Sequence, residues 1–515
     1  MRSLSFAGLR NPGSAVRRLN LLLLTAALLW CAYWFFQAWH YWEDDAWIHL
    51  EFARSLARGQ GFAFSGRVVS GDTAPLWVLL LVGVHAFLVN WMAAGKTLTV
   101  LGALFGFSGV YAFAARLARG SPQALEAALF PTAMVLLVAA SPFTCYWLFS
   151  GMEPIAGAGL ACWAVLLATC DRPTRSGFLL GCLLAGFAPL IRPELTFLTL
   201  LLVLPLIGQW RNLQGARKLG ALASGALLLC GPVFCWAAYS LHAFGHVMPN
   251  TNAAKRAGPG QPVIAHLVST YALGFPLLLA AAAAGVIYVI LYRTAARRSL
   301  AAAVRQAWRP GSAASGLPAA AWLMLLWGAV VSVFYLVNHT YVQTRYILLI
   351  APGLLVVVMA AVLMRSRSVG RVVYLLALVE ALAVSLVIAR PLLRNKVYDD
   401  AAMARLAAYM REHLPPEAPV AVYSIGEVGF LSGHPIVDTG GITRPDVLPY
   451  LSGGGPLSAL PWAQAQGAQY WIGIQPQPKA TLVSHEQLRF AAWTIHRARY
   501  NETEWIELWR LELVR

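Results

Sequence analysis

Between residues 19 and 390 the chain is a succession of apolar runs, each close to the length that crosses a lipid bilayer. A spanning helix needs about 20 mainly apolar residues. Eleven runs are read as spans, at 19–39, 96–115, 125–141, 153–170, 176–191, 194–208, 219–241, 267–292, 317–337, 346–364 and 371–390. A soluble surface needs charge, yet only 12% of the 515 residues are charged and 59% are hydrophobic. A soluble enzyme, a disordered chain and a nucleic-acid-binding protein are thereby disfavoured, and no nucleic-acid partner is expected. The first run ends in Trp30, Tyr33, Trp34, Phe35 and Phe36, with no small-residue cleavage site, so a retained helix is expected rather than a signal peptide. The seven cysteines show no metal or redox spacing and read as small packing residues.

A twelfth apolar stretch, Pro75 to Trp91, decides the topology. Basic residues stay on the cytoplasmic side of a membrane. The clusters before the first run and at 116–119, 172–175, 211–218, 293–309 and 365–371 share one side only if 75–91 enters and leaves on the opposite face. Nineteen basic residues then lie inside against one acid, Asp171. The stretch is therefore read as a re-entrant or juxtamembrane helix, a placement that suits its His85 and Asn90. Residues 40–95 become the first exoplasmic loop of a membrane domain spanning 1–390. From 391 to 515 the pattern turns soluble, and 12 of the 22 acids lie there. An amphipathic helix at Tyr398–Leu414 and strands at Val420–Ile425, Ile436–Asp438, Gln469–Ile474, Ala492–Arg497 and Trp505–Leu511 predict a small exoplasmic α/β domain. The fold class expected is thus a polytopic α-helical membrane protein with a soluble tail.

Seven of the ten acids before residue 391 fall on the outer face: Glu43, Asp44, Asp45, Glu51, Asp72, Glu153 and Glu194. At that boundary a lipid-linked substrate meets an aqueous one. Asp44 and Asp45 open a short helix on which Asp45 and His49, four apart, share a face. A helix cap explains one aspartate cheaply. It leaves three consecutive acids repelling one another beside a bilayer unless a cation or substrate offsets them. Catalysis is the stronger reading: Asp44 as general base and Asp45 as the residue orienting a donor or metal. His49, Asp72, Trp77 and Glu153 are candidates to contact substrate. Glu194 reads as a pairing partner of Arg192. The outer cations able to hold a leaving phosphate are Arg192, His246, Lys255, Arg256 and Arg345; snorkelling to headgroups is the plainer role for each. Glu380, mid-way along the last run, should be protonated or paired. Asn338-His-Thr340 and Asn501-Glu-Thr503 fit a glycosylation triplet that chance often produces.

Three stretches of the first outer loop, Asp44-Asp-Ala-Trp-Ile-His-Leu-Glu-Phe-Ala-Arg54, Gly59-Gln-Gly-Phe-Ala-Phe64 and Gly71-Asp-Thr-Ala-Pro-Leu-Trp77, resemble the corresponding loop of the GT-C membrane glycosyltransferases. Within them the sequence looks most like the AftB-type arabinofuranosyltransferases of cell-wall assembly. Ser150-Gly-Met-Glu153, Arg192-Pro-Glu194, Met248-Pro-Asn-Thr251 with Lys255, Ile425-Gly-Glu-Val-Gly-Phe430 and Val437-Asp-Thr-Gly-Gly441 extend the likeness over most of the chain. The chain departs from the family at Ser70-Gly-Asp-Thr-Ala74 and at Trp47, where tyrosine is commoner. The resemblance implies a polyprenyl-phosphate sugar donor in the inner membrane, with arabinofuranose the first guess. It implies an acceptor hydroxyl on an exoplasmic cell-envelope glycan, lipid or surface protein. It favours Arg192 and Lys255, with His246 and Asn250, for the donor phosphate. A divalent cation (Mg, Mn or Ca) is required by some members and would fall to Asp45. The competing classes are a transporter or lipid-linked-sugar flippase, which would place charge at the midplane in repeated halves, and a non-catalytic assembly factor.

Overall fold

A computed structural model describes residues 12–119, 124–213, 218–255, 262–291, 318–451, 455–475, 490–499 and 504–513. Arg256, the 293–309 basic cluster and the Asn501 triplet lie outside these residues. The helices are α1 (Pro12–Gln37), α2 (Asp44–Ala57), α3 (Pro75–His85), α4 (Trp91–Ala118), α5 (Ala124–Ala140), α6 (Pro142–Trp147), α7 (Pro154–Ala168), α8 (Arg175–Ile191), α9 (Leu195–Asn212), α10 (Lys218–Phe244), α11 (Thr251–Ala254), α12 (Val263–Gly274), α13 (Pro276–Leu291), α14 (Ala319–Val337), α15 (Thr344–Arg365), α16 (Arg367–Val384), α17 (Arg390–His413) and α18 (Gly426–Ser432). Among the described residues seven helices are long and apolar enough to cross a membrane: α1, α4, α9, α10, α14, α15 and the run from α16 into α17. Six shorter apolar helices accompany them.

Helix α3 has 11 residues, about 16 Å at 1.5 Å per residue, half the depth of a bilayer core. His85 stacks on Trp91 at 3.5 Å, and Asn90 caps α4 by accepting the Ala93 N–H at 3.0 Å. Two expectations are corrected. The run 267–292 is two helices, because Pro276 offers no N–H and the chain breaks at Phe275. The last span and the tail helix are continuous: α16 passes through a π turn at Ser385–Ala389 directly into α17. Pro391 lacks the donor an α-turn needs, and the wider turn just before it absorbs the mismatch.

The bundle is closed by glycines rather than by ridge-and-groove packing at its tightest crossing. An ideal Cβ on Gly109 would stand 2.4 Å from the Gly159 oxygen, and one on Gly106 2.4 Å from the Ile155 oxygen, so α4 and α7 touch backbone to backbone. In hydrocarbon, where no hydrophobic force drives helices together, such close approach supplies the dispersion contact. At the end of the bundle remote from α2, Glu126 pairs with Arg367 and Arg371, and Arg116 with Asp171. The tail carries a five-stranded sheet in the order β4-β3-β5-β7-β6, from β3 (Val420–Val422), β4 (Ile436–Asp438), β5 (Tyr470–Gln475), β6 (Phe490–Arg499) and β7 (Trp505–Leu513). A two-stranded ribbon, β1 (Ala63–Phe64) and β2 (Arg67–Val68), lies in the first loop. β4, β3 and β5 run parallel, while β7 pairs antiparallel with both β5 and β6.

Gly159→Leu is expected to cost about 1–3 kcal/mol or more by overpacking this crossing. The thermal midpoint in detergent measures it, and an unchanged midpoint would mean that α4 and α7 do not meet there.

Candidate active site

The three consecutive acids do not face one another's charge alone, because each turns to a different partner. Glu43 accepts the Tyr41 hydroxyl at 2.9 Å. Asp44 is the first helical residue of α2, with Glu43 in the cap position. Its Oδ1 accepts the N–H groups of Gly426 (3.0 Å) and Glu427 (3.1 Å), at the turn that opens α18 in the tail. Asp44 thus caps no turn of its own helix and meets the first N–H groups of another, α18. Asp45 Oδ2 accepts from Lys255 Nζ at 3.0 Å and from the Arg345 guanidinium.

Burial pushes the Asp44 carboxyl up to about 6; Lys396 and the two N–H groups offset part of that, and Asp45 adds to it. Burial would also raise Asp45, but Arg345 and Lys255 outweigh it and hold this carboxyl well below the usual range. Adjacent residues therefore have opposite properties: Asp44 suits proton transfer near neutrality and Asp45 suits a permanent counter-charge.

A second network runs beneath. His49 Nδ1 meets Asp72 Oδ2 at 2.6 Å, and its Nε2 stands 3.4 Å from Glu153 Oε2. Arg192 Nη1 donates to Glu153 at 2.8 Å, and its Nε and Nη2 donate to Glu194 at 3.2 and 3.0 Å. Tyr335 donates to Glu194 at 3.1 Å. The chain of Asp72, His49, Glu153, Arg192 and Glu194 alternates in sign and is buried throughout. Burial would lower His49, but the two carboxylates raise it to about 10; burial would raise Glu153, but His49 and Arg192 hold it at about 2. Arg192 has its fork committed to two carboxylates, so its role here is to support Glu153. Its guanidinium lies 4.9 Å from the Tyr346 ring, and that of Arg345 5.6 Å from the same ring, which joins the two networks.

The remaining candidates separate. Trp77 is buried and donates to the Gly151 oxygen at 3.0 Å, so it packs the Ser150–Glu153 turn instead of offering a sugar platform. Asp72 also accepts the Ala74 N–H at 2.6 Å. Asn250 ties its loop to the first outer loop through its N–H to the Ser70 oxygen, at 3.0 Å. His246 is exposed, and its ring bonds to the Met248 oxygen and, among the described residues, to none of the buried charges. No group of three His, Cys, Asp or Glu among the described residues is arranged to hold a metal ion. With two cations already on its Oδ2, Asp45 does not fit a divalent cation.

One residue was missed, and another, Arg345, was named only among the outer cations. Lys96, near the start of α4, is buried and donates to the Ala38, Tyr41 and Phe149 oxygens at 3.1, 2.6 and 2.7 Å, under the Trp42 ring at 4.5 Å. All three ammonium protons are used, and they fasten the segment before Asp44 to the segment before Glu153. A lone lysine within an apolar helix was the available signal. Arg345 is only 2% exposed; among the described residues its Nε and Nη1 have no hydrogen-bond partner.

Comparison with solved structures finds this arrangement of helices elsewhere. ArnT from Cupriavidus metallidurans superimposes with a TM-score of 0.54 in the apo state, at 14% identity, covering 95% of this chain and 97% of that one. Bound to undecaprenyl phosphate it gives 0.52, at 13% identity, with the same coverage. The oligosaccharyltransferase AglB from Archaeoglobus fulgidus, in complex with an inhibitory peptide and a dolichol-phosphate, gives 0.51 at 13% identity over 88% of this chain and 69% of that one. The chain shares the fold of these proteins. The model of a family described as "Domain of unknown function (DUF8728)" matches residues 393–509, in the tail. Comparison with curated proteins returned no match.

Two outcomes follow from the buried charges. The stability that His49 adds should be complete below about pH 6.5, its ordinary value, and gone once the pH passes about 10. The difference in thermal midpoint between wild type and His49→Gln, read at pH 6 and pH 10.5, checks this; a constant difference would refute it. Lys96→Met leaves three buried carbonyls unmet and should destabilise by about 1–3 kcal/mol for each one that finds no water, measurable in the same assay.

Proposed function

We propose that the chain is a glycosyltransferase that moves a sugar from a polyprenyl-phosphate donor to a hydroxyl of an acceptor on the exoplasmic side of the inner membrane. The observation that carries this reading is Arg345. A guanidinium buried to 2% exposure with two donor nitrogens unmet is costly unless an anion occupies the place. Lys255 stands on the same Asp45 oxygen, so two cations converge where, among the described residues, one carboxylate is the only anion bonded to both. A phosphate monoester matches the fork of Arg345 and the point charge of Lys255. The base, Asp44, belongs to the residue next to that counter-charge.

The chemistry balances with these groups alone. The Asp44 carboxylate takes the proton of the acceptor hydroxyl, and the hydroxyl oxygen forms a bond to the anomeric carbon. The bond from that carbon to the phosphate oxygen breaks. The departing polyprenyl phosphate takes the electron pair and is held by Lys255 and Arg345. Asp45 keeps the two cations in place, and the His49–Glu153–Arg192–Glu194 chain keeps the floor of the site rigid. Support for a lipid donor comes from the fold shared with ArnT bound to undecaprenyl phosphate. For the sugar, arabinofuranose is the choice suggested by the sequence motifs. For the acceptor, a cell-envelope glycan, lipid or surface protein suits the exoplasmic side on which the basic-residue pattern would put the tail.

The test is sugar transfer by purified protein from a polyprenyl-phosphate donor. Asp44→Asn retains the hydrogen bonds to the tail but cannot accept a proton, and should lower turnover by about 10²–10⁴-fold with donor binding intact. Near-wild-type transfer would remove Asp44 from the mechanism. Wild-type turnover should fall as the pH drops through about 6, where Asp44 protonates. Arg345→Met should instead weaken polyprenyl-phosphate binding by about 10-fold or more, the loss of a charge-assisted bond.

A further inference from the structure

Gly426 has no room for a side chain. A Cβ there would stand 2.0 Å from the backbone oxygen of Asp44 and 2.9 Å from its Oδ1. Its φ is not positive, so glycine is required for approach rather than for backbone conformation. The surrounding contacts fix that approach. Arg54, on α2, donates to the Phe430 oxygen at 2.9 Å and lies 4.2 Å over the Phe430 ring, which also meets Trp47 at 5.3 Å. An ideal Cβ on Gly429 would come within 2.9 Å of Phe64. On the other side, the Trp42 N–H donates to Asp400 at 2.9 Å, and Lys396 pairs with Asp400 at 2.9 Å. Two tail helices thus grip the three residues Trp42–Asp44 from both sides.

We propose that Gly426 is a positioning residue for sugar transfer: the tail turn Ile425–Glu427 holds Asp44 through two N–H bonds to Oδ1 and leaves Oδ2 to receive the acceptor's proton. The base is then complete only when tail and membrane body are docked. This inference rests on the reading of Asp44 as the base. It assigns the tail a part in the chemistry that its own acids do not show. Asp438 is consumed by bonds from Gly440, Gly441 and Thr443, and Asp446 by Arg444. Oδ2 of Asp44 has no hydrogen bond among the described residues, whereas Oδ1 has two. The ionisable groups around Asp44 are Asp45 on α2, Lys396 and Asp400 on α17, and Glu427 on α18. Lengthening these two bonds while the carboxyl stays buried removes interactions that favour the ionised form, so the acid limb of the rate profile moves to higher pH.

The experiment uses the full chain and compares Gly426→Ala in the wild-type and Asp44→Asn backgrounds. Turnover, polyprenyl-phosphate affinity and the pH profile are the readouts. In the wild-type background Gly426→Ala should lower turnover by about 10²-fold, the effect of misplacing a reacting group by about 1 Å. It should leave lipid affinity within about threefold and move the acid limb upward. In the Asp44→Asn background it should cost nothing further, because two changes acting through one carboxylate do not add. Equal losses in both backgrounds, or an unmoved acid limb, would overturn the proposal. Active Asp44→Asn protein would overturn the base assignment itself, a separate result. If Gly426→Ala does not fold, Arg54→Met, which loosens the Phe430 contact without touching Asp44, should shift the limb in the same direction by less, and no shift there counts equally against the proposal.

Discussion

A charge set against hydrocarbon costs several kcal/mol unless an opposite charge or a full set of hydrogen bonds meets it. That constraint organises the end of the bundle where the acids gather. Asp72, His49, Glu153, Arg192 and Glu194 satisfy it by alternation, and Lys96 satisfies it with three backbone carbonyls. Removing any one member leaves its neighbours charged and unmet, so the network is rigid as a unit. Beside it, Arg345 has two donor nitrogens with no hydrogen-bond partner among the described residues, and Asp45 bonds both it and Lys255. A charge-alternating network beside a cationic corner with donors to spare is a geometry that retains an anion without losing its own shape.

The tail belongs to this end of the molecule as a structural partner. Its helices supply the hydrogen bonds that Trp42 and Asp44 accept or donate, and its Phe430 fills the space beside Trp47 and Arg54. The contacts are backbone amides, an aromatic ring, two glycines and one carboxylate, Asp400, which Lys396 pairs.

Much of the site was legible because its members lie near one another in sequence or in short motifs. Three acids in a row demanded separate partners, and Glu153 and the Arg192–Glu194 corner stood out as charges at the ends of apolar runs. The tail strands at Ile436–Asp438 and from Trp505 on read correctly from alternation and β-branching. What could not be read was long-range pairing. Asp44 and Gly426 are 382 residues apart, and nothing local marks a glycine whose purpose is to make space for a distant backbone. His49 looked available to a substrate because Asp72 and Glu153, which enclose it, come from separate segments. Lys96 looked like the edge of a span, and Arg345 like a residue reaching for headgroups, because burial is not written in either one's neighbours. The helix joining bundle to tail was read as two, a span ending at 390 and a tail helix from Tyr398, because the composition turns polar between them, whereas a π turn carries the helix through.

That continuous helix, 47 residues from Arg367 to His413, is about 70 Å long. Because it is one rod, the tail cannot drift on a flexible tether. Rotation of the intramembrane half is delivered to the other half as by a lever, with the π turn as fulcrum. From Ser385 to His413 the arm measures roughly 40 Å, so a tilt of about 5° sweeps its far end by roughly 4 Å. Lipids that thicken or thin the bilayer change the tilt of such a rod. Bilayer thickness is therefore a mechanical input to the seam between Gly426 and Asp44, where displacements of a single ångström matter.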